Sequence, residues 1–136
     1  MSKKVAVLGV PMDLGQGRRG VDMGPSALRC TAFEQAFAEF GVEVQDLGDV
    51  PVPVAESLHG GRAGERGGMA YLDAIVAACS HAARALRELP PSTFPIALGG
   101  DHSIAMGSVA GASRGERVGV IWVDAHTDFN IPETSP

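Results

Sequence analysis

The sequence predicts an α/β fold, a parallel sheet with helices on both faces, and three observations predict it. Four short segments, at 4–10, 42–50, 94–100 and 117–123, have the length and the valine and isoleucine content of strands. Segments with helical spacing alternate with them, the pattern of βαβ units. The first segment, KVAVLGV, is apolar without alternation, as in a strand buried on both faces.

The strand at 4–10 stops at Pro11, and a glycine-rich loop follows. Gly24-Pro25-Ser26 opens a helix, since proline is tolerated in a first turn. Phe33, Ala36, Phe37 and Phe40 continue at helical spacing and Gly41 supplies a C-cap, so a helix packed on one face is expected to reach Phe40. The second strand spans 42–50. From Pro51 to Gly68 the chain is rich in Pro and Gly without periodicity and reads as a mobile surface loop. Between Met69 and Leu89, the positions Leu72, Ile75, Val76, Cys79, Ala83 and Leu86 form one apolar stripe of a long amphipathic helix, with Asp73, Ser80, His81, Arg84 and Arg87 elsewhere on its wheel. Pro90-Pro91 ends it, the third strand spans 94–100, a short helix fits Ser103 to Ser113, and RVGVIWV (117–123) is the fourth strand.

Composition limits the function classes. With 45% apolar and 20% charged residues the chain has the make-up of a folded globule. A net charge of −5 with scattered basic residues argues against nucleic-acid binding. The apolar run near the N-terminus is too short for a secretory signal, and no run approaches a membrane span, so a cytoplasmic location away from membranes is expected. Cys30 and Cys79 lie in apparent helices without motif spacing and read as reduced, buried thiols. No repeat or linker divides the 136 residues, and one domain is expected.

Polar chemistry concentrates where parallel sheets bind ligands, at the carboxyl ends of strands. GGDHS (99–103) follows the third strand and DAHTD (124–128) the fourth. Alternation along an extended segment would project Asp124, His126 and Asp128 to one side. Two carboxylates and an imidazole without thiolate favour a harder divalent cation such as Mn²⁺, and a cation offsets the cost of gathering ionisable groups at the end of an apolar strand. His102 belongs to the GGDHS cluster, although Asp101 and Ser103 could cap the following helix and leave it incidental. His59 and His81 read as solvated.

The first loop holds Gly15-Gln16-Gly17-Arg18-Arg19-Gly20, which fits the G-x-G-x-x-G dinucleotide fingerprint. That motif needs its glycines at a strand-to-helix turn. Here a long loop separates Val10 from the helix start near Pro25, so the match is a weak one.

GVPMDLGQGRRGVDMGPSALR (9–29), LGGDHSIAMGS (98–108) and GVIWVDAHTDFNIPETSP (119–136) together resemble signatures of the ureohydrolases, specifically bacterial-type arginases. The resemblance runs along the whole chain apart from the loop between Pro51 and Gly68. It implies the arginase/ureohydrolase fold, with residues 1–136 forming the N-terminal half of a single domain, since the family's chains are much longer. It implies that His102, Asp124, His126 and Asp128 ligate a two-Mn²⁺ cluster, with Asp101 orienting its neighbours. The activity implied is hydrolysis of L-arginine to L-ornithine and urea by a metal-bridging hydroxide, with agmatinase or formimidoylglutamase activity as the alternative. Asn130 and Ser135 would bind the substrate's α-carboxylate and α-amine. The later Asp-x-Asp ligands and the proton-shuttling histidine would lie beyond Pro136, leaving this stretch inactive alone, or a half-domain that needs a partner chain. The family's sheet would also place later strands between the third and fourth segments. The full-length parent is expected to be a homo-oligomer, trimer or hexamer.

Overall fold

The computed structural model describes residues 3–58, 69–129 and 131. Strand β1 (Lys3–Val10) is central in a three-stranded sheet of order β2-β1-β3, with β2 (Val42–Asp49) and β3 (Thr93–Gly99) both parallel to it. Helices α1 (Gly24–Arg29) and α2 (Phe33–Glu39) connect β1 to β2, and α3 (Leu72–Arg87) carries the chain back across to β3, which α4 (Ile104–Ser113) follows. The chain moves one way from β1 to β2 and the other way from β2 to β3. Right-handed crossovers then place α1 and α2 on one face and α3 on the other.

The alternation of β1 shows both faces filled. Ala6, Leu8 and Val10 join a core with Ile75, Ala78, Cys79, Ala82 and Leu86 of α3 and Ile104 of α4. Val5 and Val7 point to the opposite face and are equally buried. On that face Arg29 of α1 reaches over Gly9 to bind Asp46 and Asp49 of β2. Full burial of each such valine or leucine contributes roughly 1.5–3 kcal/mol, which makes β1 the organising strand.

Two sequence expectations are corrected between β1 and β2. The stretch from Gly24 to Phe40 is two helices. The Thr31 hydroxyl donates to the carbonyl of Leu28 at 2.7 Å, the N–H groups of Thr31 and Ala32 bond three residues back, and Ala32 turns left-handed at φ 56°. These tight bonds end α1 before the apolar spacing resumes. Cys30 is exposed at this break, so only Cys79 is the buried thiol expected. Gly41, at φ 68°, is the left-handed residue that closes α2.

α3 follows its expected stripe apart from Val76, which is exposed. It packs unusually close to α4, because Gly107 and Gly111 have no side chain to separate them from the backbone of Cys79 and Ala83; a Cβ on Gly111 would lie 2.5 Å from the Ala83 carbonyl oxygen. Part of the Pro51–Gly68 loop, including His59, falls in residues 59–68, outside the described residues; the described part holds a 3₁₀ turn at Ala55–Ser57.

The fourth strand is the main correction. Residues 117–123 form no strand and pair with none among the described residues, and Val118, Val120, Ile121 and Val123 are exposed. β-composition does not make a strand without a neighbour for its N–H and C=O groups, and among the described residues none lies beside this segment.

Candidate metal centre

The turn from β3 to α4 brings the first donor into place. Gly100 meets the Met12 backbone so closely that a Cβ would collide with it, and the Asp101 N–H donates to the Met12 carbonyl at 2.8 Å. The buried Asp101 carboxylate then accepts the Gly15 N–H at 2.7 Å, the Ser103 N–H at 2.9 Å and the Ser103 hydroxyl. These bonds tie its carboxylate to the protein and fix the backbone on either side of His102. The Gly15 N–H, which a dinucleotide phosphate would need, is taken by this carboxylate.

His102 projects from that turn towards the segment 124–128. Its Nδ1 is hydrogen-bonded to Asp128 Oδ2 and lies 3.8 Å from Asp124 Oδ2. One donor atom from each of His102, Asp124 and Asp128 lies within 4.8 Å of the other two. The Asp124 and Asp128 side chains retain only 24% and 28% of their exposure. Their ion pairs among the described residues are with histidines, so two carboxylates converge without a permanent positive charge.

Of the four expected ligands the structure brings three together. His126 is turned outwards, 82% exposed, with Nδ1 3.6 Å from Asp124 Oδ1. The alternation expected for 124–128 does not hold: Ala125 and His126 form a bend, the His126 N–H donates to Asp124 Oδ1 at 3.0 Å, and Asp128 is left-handed at φ 49°. An unpaired segment is free to close such a turn, whereas ladder pairing holds a strand straight. Asn130 and Ser135 lie outside the described residues.

The N–H of His126 and, next, the indole N–H of Trp122 hold the Asp124 carboxyl below its ordinary range. An ionised carboxylate is the form that binds a cation. The set of one imidazole nitrogen and two carboxylate oxygens at mutual contact fits a hard or borderline divalent ion. Among the described residues no thiol enters it, and Cys79 Sγ donates instead to the Ser103 carbonyl at 3.4 Å.

Sequence reasoning passed over two contributors. Trp122, two positions before Asp124 and so of the same parity on an extended segment, lies against the His102 ring. An aromatic residue in an apolar run reads as core, although its parity with the acidic cluster was available as a signal. The second is Arg19, which pairs with buried Asp13 and holds Glu56 through two bonds of 3.1 and 2.9 Å, tying the first loop to the turn after β2. Nothing in the spacing of those three residues marks the contact.

A model of the family described as Arginase family matches residues 3–136. The chain belongs to the arginase family. The arginase of Bacillus caldovelox is 46% identical over 138 residues, which cover 98% of this chain and 44% of that protein. The arginase of Bacillus subtilis strain 168 is 42% identical, covering 100% of this chain and 45% of the relative. Among solved structures, native B. caldovelox arginase superposes with a TM-score of 0.79 over 98% of this chain and 44% of the other. Entamoeba histolytica arginase in complex with L-ornithine gives a TM-score of 0.74 at 28% identity, over 99% and 45% of the two chains. The chain thus spans less than half the length of the arginases it matches. The likeness covers the three-stranded sheet with its helices and agrees with the α/β class read from the sequence.

Proposed function

We propose that this chain is the N-terminal part of a manganese-dependent arginase that hydrolyses L-arginine to L-ornithine and urea. The observation carrying the proposal is the convergence of His102, from the turn after β3, with Asp124 and Asp128, from the segment 124–128, at the carboxyl end of a parallel sheet. Family membership supplies the substrate class, and the Entamoeba arginase described with L-ornithine supports the product.

A guanidinium is resonance-stabilised and positively charged, and neutral water attacks it slowly. Bound divalent cations supply Lewis acidity that makes hydroxide available near neutral pH. The residues that would hold them are His102, Asp124 and Asp128, joined by His126. Pairing of 117–123 with strands from the rest of the enzyme would straighten the bend and return His126 to the same side as the two aspartates. Such pairing would also cover the exposed apolar residues of that segment. The missing strands come from further sequence or, in the second reading, from a partner chain; the unpaired segment 117–123 favours both over a self-sufficient site.

Hydrolysis adds water across one C–N bond: oxygen joins the guanidinium carbon and the ornithine amine leaves with a proton. Asp101 keeps His102 in place through its bonds to Gly15 and Ser103, and the four ligands hold the cations. Asn130 and Ser135 select arginine over agmatine by binding the α-carboxylate and α-amine, which agmatine lacks in part. Among the described residues no helix is long and apolar enough to cross a membrane. A cytoplasmic homo-oligomer, trimer or hexamer, completes the proposal.

Urea release from arginine and from agmatine in the presence of Mn²⁺ tests this in the whole protein. Asp128→Ala should abolish turnover, and Asn130→Ala should narrow the preference for arginine. Equal turnover of both substrates by the parent would sink the arginase assignment.

A further inference from the structure

Trp122 is the single tryptophan of the chain, and it touches two of the three converging donors. Its ring centroid lies 4.4 Å from that of His102 with the planes inclined at 33°. Its Nε1–H donates to Asp124 Oδ2 at 3.0 Å. The two contacts join groups that arrive from different parts of the fold: His102 from the turn before α4, Asp124 from the unpaired segment.

The His102 side chain is 51% exposed, so without support its imidazole would turn freely about its side-chain bonds. Its Nδ1 edge already faces Asp128, leaving the ring plane as what remains to be set, and an indole lying against that plane limits it. The Asp124 carboxylate has its Oδ2 held by the indole N–H, which limits its rotation. A carboxylate oxygen has two lone pairs, so the indole bond leaves one on Oδ2 for a cation.

We propose that Trp122 is a positioning residue of the metal centre: the indole face sets the plane of the His102 imidazole, its N–H sets the Asp124 carboxylate, and divalent-cation affinity depends on both. The inference rests on the cluster being a metal site. Partners that orient metal ligands typically contribute 10–100-fold to affinity. Because the indole lies directly against two ligands, its emission should also report occupancy by a paramagnetic ion.

Mn²⁺ is titrated into the whole enzyme that contains this chain and into its Trp122→Phe and Trp122→Ala variants, with free ion read by electron paramagnetic resonance, the indole emission that Trp122→Phe lacks followed in the parent, and the unfolding midpoint measured for each. The expected result is saturable binding with quenched emission in the parent and affinity about 10–100-fold weaker in Trp122→Ala. Trp122→Phe, which keeps a stacking face without a donor, should fall between them at an unchanged midpoint. Equal affinity in all three overturns the positioning role and leaves the metal site standing. Affinity that falls only in step with the midpoint in both variants also overturns it, in favour of a purely structural role. Absence of saturable binding in the parent overturns the metal site itself, and this proposal with it.

Discussion

The carboxylate of Asp101 accepts the backbone N–H of Gly15 at 2.7 Å across 86 positions of sequence. The same side chain accepts both donors of Ser103, so the loop after β1 and the turn carrying His102 form one body. Replacing Asp101 by Ala would orphan these donors in a site that is only 7% exposed. Each buried donor left unpaired costs about 1–3 kcal/mol. Asp101→Ala should therefore lower the urea midpoint clearly, and Asp101→Asn, which keeps one acceptor oxygen, should lower it less. Identical midpoints in the two variants would show that the acceptor oxygens are not what matters.

Gly107 sets the distance between α3 and α4. Alanine is the better helix former by roughly 0.5–1 kcal/mol, but here its Cβ would collide with the Cys79 backbone. Overpacking of a close contact costs typically 1–3 kcal/mol, so sterics should win over propensity. Gly107→Ala is expected to lower the melting temperature, whereas Gly119→Ala, with open space around it, should leave it near the parent value. A stabilised Gly107→Ala protein would mean that the helices can separate freely.

How far the sequence discloses this molecule depends on how local each cause is. β1 and α3 were legible because their apolar patterns reflect contacts that every turn or pleat repeats. The break between α1 and α2 was not, since it rests on a single hydroxyl bond from Thr31 and a left-handed Ala32 inside an unbroken helical spacing. The segment 117–123 has the residues of a strand, but pairing is a property of a neighbour that its own sequence does not contain. In the cluster, residue types and strand-end positions pointed to Asp124 and Asp128, whereas His102, which could have been incidental beside a helix cap, was singled out only by the family resemblance. The bend at Ala125 and His126, which turns His126 away, and the indole of Trp122 against His102 are three-dimensional facts with no periodic trace.

The two thiols should differ sharply in reactivity. Cys30 is exposed at the break after α1, whereas burial pushes the Cys79 thiol up and leaves less of the reactive thiolate. At pH near 8 an aromatic disulfide reagent should modify one thiol promptly and the second only as the chain unfolds. Cys30→Ser should remove the fast phase. Two fast equivalents in the folded parent would contradict the buried position of Cys79.

Arg29 clasps Asp46 through Nε at 2.6 Å and Nη2 at 2.9 Å, and reaches Asp49 with Nη1 at 2.6 Å. The hydrogen bonds from Arg29 hold the Asp46 carboxyl below its ordinary value of 3.8, with the Gly48 N–H adding to the effect. A folded-state value below the unfolded one means that the stabilisation is complete above about pH 4 and is lost as pH falls through the folded value. The guanidinium itself is pushed up and stays charged throughout. Both side chains are 24% exposed, so solvent weakens the pair and its worth at neutral pH is on the order of 1 kcal/mol. Asp46→Asn should be less stable than the parent by about that amount at pH 7, and the difference should shrink as the parent's Asp46 protonates at low pH. Unfolding midpoints of the two chains measured from pH 7 down to about pH 2.5 decide the matter, because a gap that stays constant through that range would mean that Asp46 contributes by packing and not by its charge.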